Sequence, residues 1–133
     1  MIINGEKITY YCLTPLEINY IHTIMYLEAR GEGYYGLRRV VEVLFNRMND
    51  TRWRNDIRSV IRAENQFEPV STGLFDRHLG REFPEMIDRA LRSVFEQERL
   101  MSEEVVWFRA GHKGWHARAL TLYEIYGAHA FYI

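Results

Sequence analysis

Thr14-Pro15-Leu16-Glu17 opens, and Glu28-Ala29-Arg30-Gly31-Glu32 closes, the stretch of sequence that decides the fold. Thr14 suits an N-cap, Pro15 the first helical position, and Glu17 the third position of a capping box. Counting back from Glu28, Met25, Ile24 and Ile21 lie at spacings of three, four and seven, so all four share one helix face. The spacing predicts a helix from Pro15 to about Arg30, with Gly31 supplying the left-handed stop. A carboxyl group on such an apolar stripe resists ionising, because its charged form would lose hydration. A proton held near neutral pH can be given to a leaving group, which is general acid chemistry. A surface Glu at a frayed helix end, paired with Arg30, is the other reading of the same residues.

Outward from this stretch, Leu37, Val40, Val41, Leu44, Phe45 and Met48 recur at helical spacing and predict a second helix ending at Asn49-Asp50-Thr51. Its other side carries Arg38, Glu42 and Asn46, a polar stripe that faces solvent or a groove. A short helix is expected from about Asp56 to Ala63. Residues 64–81 read as a long loop broken by Pro69, Ser71, Thr72, Gly73 and Gly80, and loops of that length tend to carry function. A further helix is expected from about Pro84 to Leu100, burying Ile87, Ala90, Leu91, Val94 and Phe95. Val105-Val106-Trp107-Phe108 reads as extended, Gly111 to Gly114 as a loop, and Leu120 to Tyr132 as a return strand or irregular tail. The fold class is therefore mostly α, an α+β chain with a small late β element. One domain is expected over residues 1–133, with residues 1–13 as an arm or edge strand.

The chain has 133 residues, 47% of them hydrophobic and 26% charged, with a net charge of -1. That balance gives no electrostatic case for nucleic acid or an anionic membrane, although Arg52, Arg54, Arg58 and Arg62 gather in sequence. Cys12 is alone, which excludes an internal disulfide and a cysteine zinc cluster. His22, His78, His112, His116 and His129 include no His-Glu-x-x-His, so no metal is expected, nor any other cofactor. Ser59, Ser71 and Ser93 sit in no nucleophile elbow, and no glycine loop precedes a helix to hold phosphate. No stretch is long enough to span a bilayer, and the N-terminal residues lack the pattern of an export signal.

Carboxylates remain. Glu28 and Glu32 bracket the predicted helix stop, and Glu64 and Glu68 flank Gln66-Phe67. Breaking a glycosidic bond needs one acid to protonate the departing oxygen; a second carboxylate is needed only as nucleophile or to activate water. No second carboxylate stands out by position, which favours one group acting first as acid and then as base.

Leu27-Glu28-Ala29-Arg30-Gly31-Glu32, then Gly36, Asn46-Arg47 at a helix end, and Gln66-Phe67 together resemble the spore cortex-lytic cell wall hydrolases of the SleB/CwlJ type. Trp107-Phe108, Trp115 and Gly127-Ala128-His129-Ala130-Phe131-Tyr132 resemble that family's closing segment, so the likeness runs from about residue 15 to 132. The resemblance implies a compact, lysozyme-related fold that cuts peptidoglycan glycan strands, with Glu28 as the catalytic acid. Some members are lytic transglycosylases, in which the muramic C6 hydroxyl attacks its own anomeric carbon. On this reading Arg30 and Glu32 organise the turn beside the acid. Gln66, Phe67, Trp107, Trp115, His129 and Tyr132 are the expected groove residues, though Phe67, Trp107 and Phe131 suit core packing equally.

The chain departs from the family pattern at Leu37, Trp53-Arg54, Arg109-Ala110 and Ala128, which leaves the acid in place and bears on substrate preference. A monomer is expected, acting on peptidoglycan without nucleic acid or membrane insertion. It would be made in the cytoplasm and act on the wall after release or delivery, as a phage or prophage lysin does. The competing class is a non-catalytic module that binds peptidoglycan or serves a phage structure.

Overall fold

The computed structural model describes residues 1–63, 67–111 and 114–133. It opens with a hairpin of β1 (Ile2–Ile3) and β2 (Glu6–Lys7). Asn4 and Gly5 both take positive φ, 53° and 81°, which makes the mirror-image two-residue turn that matches strand twist. Helix α1 (Pro15–Ala29) begins as predicted: Thr14 Oγ1 accepts from Glu17 N at 3.1 Å, and Glu17 Oε1 accepts from Thr14 N at 2.9 Å.

The stop of α1 differs from the expectation. A 3-10 turn over Arg30–Glu32 follows it, and the positive φ falls on Gly33, at 73°, rather than on Gly31. The chain tightens for one turn before reversing, so the residue needing left-handed freedom lies two positions later.

Helix α2 (Gly33–Asn49) is the centre of the molecule. Its Val40, Val41, Leu44 and Phe45 pack with Ile21, Ile24 and Met25 of α1, with α3 (Ile57–Ile61), and with Ala90 and Leu91 of α6 (Glu85–Glu96). On another flank Val43 joins Met101, Val105 and Phe131 in a smaller cluster. A helix covered on nearly every side has no solvent face, and this overturns the open polar stripe. Arg38, Glu42 and Asn46 are all 3% exposed or less.

They serve the backbone of residues 97–106, which has no strand or helix of its own to satisfy it. Arg38 donates to Glu98 O at 2.8 Å, Glu42 accepts from Leu100 N and Met101 N at 2.9 and 3.0 Å, and Asn46 donates to Val105 O at 2.9 Å. The same contacts explain why α6 ends at Glu96 instead of about Leu100: Gln97 and Glu98 are held by Arg38.

The expected loop of residues 64–81 contains two short helices, α4 (Glu68–Ser71) and α5 (Leu74–His78), while Glu64, Asn65 and Gln66 lie outside the described residues. Pro69 sits in the first turn of α4, and Phe75 of α5 is fully buried against Tyr20, ring centroids 5.3 Å apart. Helices of four or five residues are too short to show periodicity.

Late in the chain come β3 (Trp107–Ala110), α7 (Trp115–Ala119), β4 (Leu122–Tyr126) and β5 (His129–Tyr132). The strands form an antiparallel sheet in the order β3-β5-β4, so the late β element is present and the tail is a strand. Among the described residues no helix is long and apolar enough to cross a membrane.

Candidate active site

Glu28 lies in the last turn of α1, where the helix runs into the corner leading to α2. Its carboxyl borders two adjoining cavities of about 280 and 250 Å³, both of which also touch Glu68 and Ala110. Phe67, Glu68, Phe108, Arg109, Trp115 and His116 line the larger with Arg47. Leu27, Pro69, Thr72, Leu74 and His129 line the smaller. The groove is thus walled by α1, the start of α4, β3 and α7. Glu28 and His116 come from opposite halves of the chain.

Burial pushes the Glu28 carboxyl up to about 7; the negative charge of Glu68 adds to the rise and the Arg47 guanidinium opposes it. No hydrogen bond from the described residues offsets that rise. An acid with this value is protonated in mild acid, and its conjugate base forms easily near neutrality.

Arg47 is 1% exposed, and its Nε donates to Val106 O at 2.7 Å. Its Cζ lies 5.2, 5.1 and 5.8 Å from the ring centroids of Trp53, Phe67 and Trp107. Burial pulls its pKa down to about 10 and Glu28 pulls the other way, so it remains a cation at neutral pH. Trp53, a departure from the family pattern, supplies one of these rings.

At the mouth, Trp115 is 45% exposed and stacks on His116 with centroids 3.8 Å apart. Burial lowers the His116 pKa, helped by the charges of Arg109 and Arg47, so the ring is neutral at neutral pH. His129 opens β5 and is 4% exposed; its ring lies edge-on to Phe108 with centroids 5.3 Å apart, and its Nδ1 has no hydrogen-bond partner among the described residues. Burial lowers the His129 pKa, against the pull of Glu32 and of the Glu28 backbone.

Of the residues singled out from the sequence, Phe67, Trp115 and His129 therefore border the cavities together with Glu28. Trp107 sits one layer behind, edge-on to Trp115 at 5.4 Å, and Tyr132 is fully buried with its ring 6.0 Å from His116. Glu32 turns toward the β4–β5 turn, where it accepts from Ala128 N. Arg30 is exposed, its guanidinium 4.9 Å from the Tyr26 ring, and borders neither cavity. Gln66 lies outside the described residues.

Arg47, Glu68, Phe108, Arg109 and His116 were not among the predicted site residues. Glu68 had a local signal, a carboxylate directly after Gln66-Phe67, but nothing nearby connects it to Glu28.

A family model described as cell wall hydrolase matches residues 31–132, a segment that begins just after Glu28. No curated protein matches the chain significantly. Among solved structures, the chain is similar to the catalytic domain of the germination-specific lytic transglycosylase SleB from Bacillus anthracis. That match has a TM-score of 0.78 at 19% identity and covers 91% of this chain and 97% of the other. The catalytic domain of the Bacillus cereus SleB protein gives the same TM-score and identity, covering 98% of this chain and 99% of the other. At this identity the structures report a shared fold.

Proposed function

From the premise that the chain belongs to the cell wall hydrolase family, we propose that it cleaves peptidoglycan glycan strands between muramic acid and glucosamine units. Glu28 is the single general acid and base. The observation that carries this reading is a carboxyl whose pKa is raised to about 7 at a cavity bordered by an exposed Trp ring.

The protonated Glu28 gives its proton to the bridging oxygen as the bond to the anomeric carbon breaks. The resulting carboxylate faces the positive charge of Arg47, which stabilises it. It then takes a proton from the attacking hydroxyl. If that hydroxyl is the muramic C6 group, the new C–O bond closes an anhydro ring; if it is water, the product is a reducing end. Burial and Glu68 favour the acid form, Arg47 the base form, and one side chain needs both in each turnover.

Digestion of purified sacculi, followed by mass spectrometry of the fragments, tests the proposal. Anhydro or reducing sugar ends are expected from the wild type and neither from Glu28→Gln. Fragments with intact glycan, or full activity in Glu28→Gln, would overturn it.

A further inference from the structure

Arg47 borders the larger cavity at 1% exposure, and its Nη1 has no hydrogen-bond partner among the described residues. Trp107 Nε1 and His116 Nδ1 are likewise buried and unpartnered. The three residues form one chain of contacts: Arg47 Cζ lies 5.8 Å from the Trp107 centroid, and the Trp107 and His116 centroids are 6.1 Å apart. Leaving a buried donor unmade costs about 1–3 kcal/mol, and more for a charged one, so such groups persist chiefly where something else uses them.

A guanidinium only donates, so the group that completes Arg47 must accept. The wall beside them consists of Phe108 and the exposed Trp115 ring, a surface suited to the apolar face of a flat or ring-shaped ligand.

We infer that this end of the groove is a subsite reading an acyl oxygen on the sugar, received by Arg47 Nη1 while the sugar ring lies against Trp115. This rests on the glycan-strand activity proposed above and adds the substituent that the enzyme requires. Two sources share the chemistry: the N-acetyl carbonyl and the lactyl group of muramic acid. Arg47 then reads the substrate through Nη1 in addition to the pull of its charge on Glu28.

Calorimetric binding to the Glu28→Gln protein, which holds glycan without turnover, separates these sources. Three ligands are compared: N-acetylated chitotetraose, the de-N-acetylated tetramer, and de-N-acetylated peptidoglycan strands that keep the lactyl group. Arg47→Lys, made in the same background, keeps the charge but shortens the donor. It is expected to weaken by about tenfold whichever acyl-bearing ligand is read, and to leave the de-N-acetylated tetramer unchanged. Loss confined to chitotetraose assigns the N-acetyl group; loss confined to the strands assigns the lactyl group.

If Arg47→Lys fails to fold, the Glu28→Gln protein alone carries the test: it must bind at least one acyl-bearing ligand about tenfold more tightly than the de-N-acetylated tetramer. Equal effects on all three ligands, or none, overturn the inference. Digestion of sacculi by the wild type distinguishes the two levels. Sugar-end fragments without an Arg47-dependent preference refute the subsite alone, whereas absence of such fragments refutes the activity beneath it.

Discussion

The carboxylate of Glu32 accepts the backbone N–H of Ala128 at 3.1 Å, joining the α1–α2 corner to the β4–β5 turn across most of the chain. The contact requires glycine next door. A Cβ on Gly127 would run into the Glu32 carboxyl, and Gly127 holds φ at 57°. Since His129 follows immediately, lining the smaller cavity with its ring 5.3 Å from that of Phe108, the register of this turn places part of the groove wall. Glu32 thus acts on the site through backbone placement.

Gly127→Ala should therefore destabilise the protein by about 2–3 kcal/mol, from the left-handed backbone and the displaced carboxylate together. In a Glu32→Ala background the same substitution should cost only the backbone part, about 1 kcal/mol. Urea denaturation of the four proteins measures the coupling. Strict additivity would show that Glu32 and Gly127 are independent.

The raised pKa of Glu28 has consequences for rate and for stability. On the proposed mechanism cleavage needs the protonated acid, so activity should fall as pH rises through about 7. Replacing Glu68 by Gln removes a like charge, lowers the pKa of Glu28, and moves that alkaline limb toward acid. A pH–rate profile of kcat/KM decides it: a limb that stays put or moves toward base contradicts the assignment.

For stability the sign is the reverse of a salt-bridged carboxylate. The folded protein holds a proton on Glu28 between the unfolded value of 4.5 and about 7, so stability drops across that window as pH rises. Glu28→Gln should be more stable than the wild type at pH 8, by up to on the order of 3 kcal/mol, and the advantage should vanish below about pH 4.5. Parallel chemical denaturation at pH 4 and pH 8 tests this. A Gln variant no more stable at pH 8 would mean that the acid is not strained by its surroundings.

Glu42 accepts two backbone N–H groups, from Leu100 and Met101, in a place water does not reach. Glu42→Ala strands both donors and should cost about 2–4 kcal/mol; Glu42→Gln keeps an acceptor and should cost less. Activity should fall with stability, since residues 97–106 lead directly into β3 and the groove wall. A soluble Glu42→Ala protein with wild-type melting would refute this account of the buried polar face.

That face also shows where sequence reading stops. Thr14, Pro15 and Glu17 announce α1 because a cap and its partner are three residues apart, and the apolar face of α2 is equally local. Glu28 is legible for the same reason: its neighbours Ile21, Ile24 and Met25 are on its own helix. Arg38, Glu42 and Asn46 fall on one stripe by the same count. What covers that stripe is residues 97–106, and no periodicity links segments so far apart. Glu68 and Arg47 meet Glu28 only through the tertiary fold, so the charges that tune the acid could not be read beside it. The short helices α4 and α5 depend on Phe75 reaching Tyr20, again a distant partner.

Trp115 offers the most direct probe of the groove. Its ring is 45% exposed and rests on His116 at 3.8 Å, with Trp107 edge-on at 5.4 Å. An aromatic held flat at a cavity mouth contributes little to the core, so Trp115→Ala should shift stability by no more than about 1 kcal/mol. As a sugar platform it should raise KM for glycan strands roughly fivefold to tenfold and leave kcat nearly intact, because the interaction is the same in ground and transition states. Steady-state kinetics on solubilised strands, with thermal melting alongside, separates the outcomes. Unchanged KM in a stably folded Trp115→Ala protein would place the substrate elsewhere; a fall in kcat alone would instead tie the ring to the geometry of Glu28 and its proton.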